Sequence, residues 1–398
     1  MSVEQILNRQ FLMTDGIRGR IDRVVDLYTT FNNEVDLEAL KEGGFFEPLQ
    51  DMMEPILMNL DDQSPEVIAY WAKHGMVKES HGKYKTMDWG KFEEKYGLHY
   101  EPSPMNIQNH NVLWNSFVPI SAFKPENKDR KYPLVFALHG AGNPKSIVDG
   151  WGFPQEAAKR EWILIAPSLE LDFVLEDILE EAKKLYPVDE SRIYVTGFSY
   201  GGMMTNLLGN QRPDLFAACA PCGAAMSNGF SKGGSMGEPL PPFDGVPRAL
   251  ALNTYMPIFN CMGQLDGHPF PYYDAKNRRT GEPNAAGMLD GVNSWAKVNK
   301  CRQFTLDEIM AVKNDPNASI EEKNIGLPLE PDCRRTVVAE GVTNYIGDLK
   351  SEDGVVRMRI MCKANIPHWP TPEMVRQIFE FFSHFSRDTE TKASIYTE

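Results

Sequence analysis

Ser199 sits inside Gly197-Phe198-Ser199-Tyr200-Gly201, a G-x-S-x-G pentapeptide. A β-branched run, Ser191–Thr196, precedes it, and Met203–Leu208 follows with helical character. Strand, G-x-S-x-G and helix in that order make a nucleophile elbow. The turn is tight enough that the positions two before and two after the serine are glycine. The serine is held in a strained conformation with its hydroxyl exposed. The first turn of the next helix offers unpaired N–H groups to a developing negative charge.

A serine nucleophile needs a base, and the base needs a group to orient it. Of the eight histidines, only His268, His368 and His384 follow a suitable acid. His268 lies two residues beyond Asp266, too close to reach back to it as a partner. His384 falls inside the final amphipathic segment, where a structural role is expected. His368 lies between a strand and a helix and is the expected general base. For the acid, Asp244, Asp274 and Asp290 compete with Asp266, but only Asp266 directly follows an apolar strand, Pro257–Met262. Its carboxylate would accept a hydrogen bond from the far ring nitrogen of His368 and fix the tautomer. The order Ser199, Asp266, His368 is the chain order of α/β-hydrolases.

His139-Gly140-Ala141-Gly142 ends another apolar run, Pro133–Leu138. Glycines there let backbone N–H groups approach a developing oxyanion. The expected donors are the N–H of Tyr200, the residue after the nucleophile, and that of Ala141. His139, Gly140 and Trp369 are expected to line the substrate site, with His139 holding its turn by hydrogen bonds. No metal and no organic cofactor is implied.

The elements that must position these residues alternate. Strands are expected at Leu98–Glu101, Asn111–Ile120, Pro133–Leu138, Trp162–Ala166, Ser191–Thr196, Leu215–Ala220, Pro257–Met262 and Val355–Cys362. Helices are expected at Gln155–Arg160, Phe173–Leu185, Met203–Leu208, Ala286–Val298 and Thr371–Phe385, with Asp172 capping the second. Strands alternating with helices predict a mostly parallel sheet covered on both faces, an α/β fold. In such sheets active residues lie beyond the carboxyl ends of the strands, where Ser199, Asp266, His368 and the His139 turn all fall. Asn228–Pro247 reads as a long functional loop and residues 303–332 as a charged insertion. Residues 1–95 differ: the spacing predicts helices at Ile17–Phe31, Phe45–Leu60 and Pro65–Val77. They form an expected helical extension for packing, a lid or oligomerisation, and the catalytic domain is expected at 96–398.

The composition, 42% hydrophobic and 24% charged, is that of a globular chain, and 398 residues can bury a large core. A net charge of −14 argues against nucleic acid or an anionic membrane face as partner. No apolar run reaches the roughly 20 residues that span a bilayer. Met1–Leu7 lacks the basic start of an export signal, so a cytoplasmic location is expected. The six cysteines are then expected to be reduced, and Cys219-Ala220-Pro221-Cys222 reads as two small buried hydrophobes rather than a redox pair. A homo-oligomer is compatible with the sequence.

The run Tyr186–Met203 and the segment Arg212–Ala218 resemble the polyhydroxyalkanoate depolymerase and feruloyl or acetylxylan esterase family of α/β-hydrolases. The turn at His139, the Gly263–Asp266 turn and His368-Trp369-Pro370 are similar as well, so the resemblance spans roughly residues 111–385. It implies a serine esterase with nucleophile, acid and base at Ser199, Asp266 and His368. The chain departs from the family in its N-terminal 95 residues, which points toward a soluble acylated small molecule or oligosaccharide rather than a polymer. Two rivals are a serine peptidase of the prolyl-oligopeptidase type and a non-catalytic α/β-hydrolase used for binding.

Overall fold

The computed structural model describes residues 96–107, 110–140, 152–167, 172–226, 247–266, 269–277, 280–339, 342–364, 366 and 370–398, with the backbone of three short strands before them. Contacts divide the chain into two compact units, residues 1–190 and 191–398.

In the first unit the three short strands are β1 (Glu34–Asp36), β2 (Val77–Ser80) and β3 (Lys83–Lys85). They form a small antiparallel sheet in the order β1-β3-β2. The helices expected between residues 17 and 77 lie outside the described residues, except that Val77 opens β2. A separate sheet in this unit comprises β4 (Leu98–Ile107), β5 (His110–Pro119), β6 (Tyr132–Leu138) and, after helix α1 (Phe153–Arg160), β7 (Ile163–Pro167). β6 and β7 are parallel, while β5 pairs antiparallel with both β7 and β4. Every residue of β6 and β7 is buried, as their continuous apolar runs predict. Helix α2 (Asp172–Leu185) buries Val174, Leu175, Ile178, Leu179 and Ala182 on one stripe. Asp172, expected as the cap, is the first residue of this helix.

The second unit holds the elbow. Strand β8 (Val188–Phe198) leads into α3 (Tyr200–Gln211), then β9 (Ala218–Cys222), the short α4 (Arg248–Ala251) and β10 (Ile258–Gly263). Helices α5 (Ala285–Val298), α6 (Leu306–Asn314) and α7 (Ile320–Ile325) follow, then β11 (Arg334–Ala339), β12 (Val342–Lys350) and β13 (Val356–Lys363). Helix α8 (Pro372–Ser383) and a hairpin of β14 (Phe385–Arg387) and β15 (Ser394–Tyr396) close the chain. β8, β9, β10 and β13 are mutually parallel, and β12 and β11 add an antiparallel margin.

Alternation along the strands sorts the two faces. On one face, Cys219 meets Gly209 of α3, and a Cβ on Gly209 would stand 2.8 Å from the Cys219 sulfur and 2.9 Å from Trp295 of α5. On the other face, Tyr194 stacks on Phe382 of α8 at 4.8 Å and Phe259 meets Phe381 at 6.1 Å. Helices therefore cover both faces, as the α/β pattern requires.

Three local expectations are corrected. The strand expected at Leu215–Ala220 begins only at Ala218, because Pro213–Leu215 form a turn closed by the Arg212 carbonyl. The insertion at 303–332 is not turn-rich throughout: it contains α6 and α7, each started by a full capping box, Thr305 with Glu308 and Ser319 with Glu322. The sequence reading has no counterpart to β11 and β12. No helix among the described residues is long and apolar enough to cross a membrane.

Candidate active site

The strained turn exists as expected. Ser199 has φ 58° and ψ −113°, a region that a side chain with a Cβ seldom adopts. It is half-buried at the start of α3. Two backbone bonds over-determine it: the Ser199 N–H donates to the Cys222 carbonyl at 2.9 Å, and the Ser199 carbonyl accepts from Met203 N–H at 2.9 Å. The same Cys222 carbonyl explains a glycine that the pentapeptide does not contain. A Cβ on Gly202 would stand 2.2 Å from that oxygen, so the turn can close only if residue 202 has no side chain. Gly223, at φ +60°, likewise yields to the Phe198 ring, 2.6 Å from where its Cβ would be.

Asp266 ends a 3₁₀ turn, Gln264–Asp266, that directly follows β10. The residue is 4% exposed. The Gln264 amide N–H donates to Asn324 Oδ1 of α7 at 2.9 Å, tying the Asp266 turn to the insertion. The insertion also packs against the segment at 271–272, since a Cβ on Gly326 would stand 2.4 Å from the Tyr272 nitrogen. Because β8, β9 and β10 are parallel, Ser199 and Asp266 leave the same edge of one sheet. The strands β8 and β10 that lead to them are two strand spacings apart, about 10 Å.

The chain between β9 and the long loop is pinned by buried amides that sequence reasoning passed over. Asn260 Nδ2 donates to the carbonyls of Pro221 and Ala224, both at 2.8 Å. Asn206 Nδ2 donates to Ala225 O at 3.0 Å. The polar residue inside the apolar run Ile258–Gly263 is the signal that marks Asn260.

His368, Trp369 and Ala141 lie outside the described residues, as does the loop at 228–246. The strand leading to His368 ends at Lys363, which pairs with Gly263 at the end of β10. Tyr200 is half-buried in the first turn of α3. In the first unit, His139 is half-buried and Gly140 buried immediately after β6. His139 Nδ1–H donates to the Gly140 carbonyl at 2.8 Å. His384 caps α8, with Nδ1 against Thr397 O at 3.1 Å and its ring stacked on Tyr396.

All six cysteines are buried and unpaired. Cys219 and Cys222 are three residues apart in β9, so their side chains leave opposite faces and cannot meet. Burial pushes the Cys261 thiol up to about 12 and the Cys301 thiol up to about 11. Among the described residues no group of His, Cys, Asp and Glu is arranged to hold a metal ion.

A model of the prolyl oligopeptidase family matches residues 174–232, which include Ser199 and well under half of the chain. A bifunctional acetylxylan esterase/xylanase of Neocallimastix patriciarum is 29% identical over 205 residues, covering 46% of this chain and 28% of that protein. A poly(3-hydroxyalkanoate) depolymerase C of Paucimonas lemoignei is 25% identical over 108 residues, 25% of this chain and 24% of that protein. The chain thus spans about a quarter of the length of these curated relatives. Among solved structures, an acetyl xylan esterase from Aspergillus awamori is 14% identical at a TM-score of 0.40, covering 71% of this chain and 99% of that one.

Proposed function

We propose that the chain is a serine esterase that cleaves carboxylic esters through an acyl-enzyme on Ser199. The observation that carries this reading is the Ser199 backbone, held at φ 58° between a parallel strand and a helix. No packing need explains a strained serine there, whereas a nucleophile that must stand clear of the sheet does.

Ser199 Oγ attacks the ester carbonyl while His368 takes its proton. Asp266 orients the imidazole and stabilises the imidazolium. The N–H groups of Tyr200 and Ala141 receive the oxyanion, with the His139 turn setting the position of the second. Collapse releases the alcohol, protonated by His368. Water activated by His368 then frees the acid and regenerates the serine. No step calls on a metal or an organic cofactor.

The acetylxylan esterase relative supports an acetyl group on a carbohydrate, and the resemblance at Tyr186–Met203 extends the acyl class to feruloyl. His139, Gly140 and Trp369 would contact that substrate. Six buried, unpaired thiols accord with a reducing compartment, and we place the protein in the cytoplasm on that ground.

The prolyl oligopeptidase match over residues 174–232 favours one second reading, cleavage of small peptides by the same serine. Turnover of methyl ferulate, an acetylated xylo-oligosaccharide, short-chain p-nitrophenyl esters and a peptide anilide separates the two. The esterase reading expects kcat/KM on the best ester to exceed that on the anilide by at least about a hundredfold. An anilide preferred over every ester would overturn it.

A further inference from the structure

Asn260 is a fully buried amide in the middle of β10, between Phe259 and Cys261. Ile258 pairs with Cys219 and Cys261 with Cys222, so Asn260 lies beside Pro221. It shares the Cys219 face of the sheet, which α3 covers. Its Nδ2 donates to Pro221 O and Ala224 O, both at 2.8 Å. Carbonyl oxygens only accept, so the end of the amide that meets both must be its NH2 group. Its Oδ1 is buried and has no hydrogen-bond partner among the described residues. A valine here would leave no oxygen unpaired. Apolar packing therefore does not explain this residue, whereas its two donors do.

Those donors meet the segment where β9 leaves the sheet. Thr196 Oγ1 donates to Ala220 O at 2.8 Å, and Asn206 Nδ2 of α3 donates to Ala225 O at 3.0 Å. Between these ties, Cys222 O takes the Ser199 N–H at 2.9 Å. Successive carbonyls of a strand point to opposite neighbours. Pro221 O accordingly turns toward β10, and Cys222 O turns toward the end of β8. Asn260 thus bridges Pro221 and Ala224 across the Cys222–Gly223 turn, from the side away from the elbow. The turn itself is a tight one, with Gly223 at φ +60°. Where Cys222 O stands sets where the Ser199 N–H stands, and with it the φ of 58°.

We infer that Asn260 is a positioning residue of the nucleophile: its amide clamps the Pro221–Ala224 turn so that Cys222 O holds Ser199 in its strained conformation. The inference rests on the esterase reading given above. A strained residue persists only where its surroundings over-determine it. Without the clamp the turn relaxes, the Ser199 backbone drifts toward an ordinary φ, and the hydroxyl leaves its reacting position. Asn260 touches no reacting atom itself. It gives β10 a second task, because the strand that ends in the Asp266 turn then also fixes the seat of Ser199.

The test is the rate at which a fluorophosphonate labels the protein, read by intact mass over a range of probe concentrations. The proteins are wild type, Ser199→Ala, Asn260→Thr and Asn260→Val. Threonine and valine share a shape and differ by one hydroxyl, so the donors offered to the turn fall from two to one to none. Wild type should label and Ser199→Ala should not. Asn260→Val should label at a saturating rate about a hundredfold lower per folded molecule, with the half-saturating probe concentration within about twofold of wild type. Asn260→Thr should fall between the two. A residue that only supports the fold would lower the urea midpoint and leave the rate per folded molecule unchanged, and that result overturns the inference alone. A change confined to the half-saturating concentration overturns it as well, since the serine would then be seated as before. If Asn260→Val does not fold, Asn260→Thr carries the test, and labelling at the wild-type rate overturns the inference. A wild type that never labels overturns the inference and the esterase reading together.

Discussion

At the scale of single residues, the site is built on backbone geometry before side-chain chemistry. Ser199 stands in a disfavoured φ because Cys222 O and Met203 N hold its two peptide groups. The sharpest steric condition is at Gly202, whose missing Cβ leaves room for Cys222 O. Gly202→Ala should therefore open the elbow. We expect a stability loss of about 3 kcal/mol, as for overpacking against rigid backbone. Ester turnover per folded molecule should fall by about a hundredfold, since a misplacement near 1 Å costs that much. Urea denaturation and active-site titration check the two separately, and an alanine variant with wild-type stability and activity would contradict the geometry. The serine was legible in the sequence because its signal is local, a pentapeptide between two regular elements. The reason for Gly202 was not, since Cys222 lies twenty residues further along the chain.

At the scale of elements, parallel pairing of β8, β9, β10 and β13 carries the Ser199, Asp266 and Lys363 positions to one edge. β8, β9 and β10 were legible as short β-branched or apolar runs, and β13 as an alternating one. β11 and β12 were not, because β11 is exposed at alternate positions and β12 interposes Asn344 and Asp348 among its apolar residues. Asp348 is nearly buried and accepts from Arg335 and Arg359 on the strands at its sides, a pairing that only the register reveals. The capping boxes Thr305–Glu308 and Ser319–Glu322 were present as S/T-x-x-E and would have marked α6 and α7. Arg387 is one of the side chains that hold the C-terminal hairpin. Arg387 is 2% exposed and donates to the carbonyls of Phe216, Lys392 and Tyr255 at 2.9, 2.7 and 3.0 Å and to Thr254 Oγ1 at 3.1 Å. Burial lowers its pKa to about 10, yet it stays protonated at neutral pH. Arg387→Met should destabilise the protein by about 2–4 kcal/mol, because buried carbonyls lose charged donors. Its distance in the fold from the elbow predicts unchanged kcat/KM per folded molecule. A variant as stable as wild type in urea would show that the hairpin is held by its apolar contacts instead.

At the scale of the whole molecule, the sequence reading of an α/β chain holds because apolar runs and helical stripes alternate over most of residues 98–385. What the alternation does not carry is how far apart in sequence the supports of one site can lie. The Asp266 turn is braced by Asn324 and the elbow by Cys222. Composition contributes a boundary rather than a mechanism: a charge of −14 argues against polyanion partners and says nothing of catalysis. The central claim is that Ser199 is the nucleophile of an esterase. Its most direct test is hydrolysis of a short-chain p-nitrophenyl ester by wild type and by Ser199→Ala, with the fold of both verified by circular dichroism. The account predicts turnover by wild type that falls by a factor on the order of 10³ or more in the variant. Equal turnover by the two proteins would contradict it.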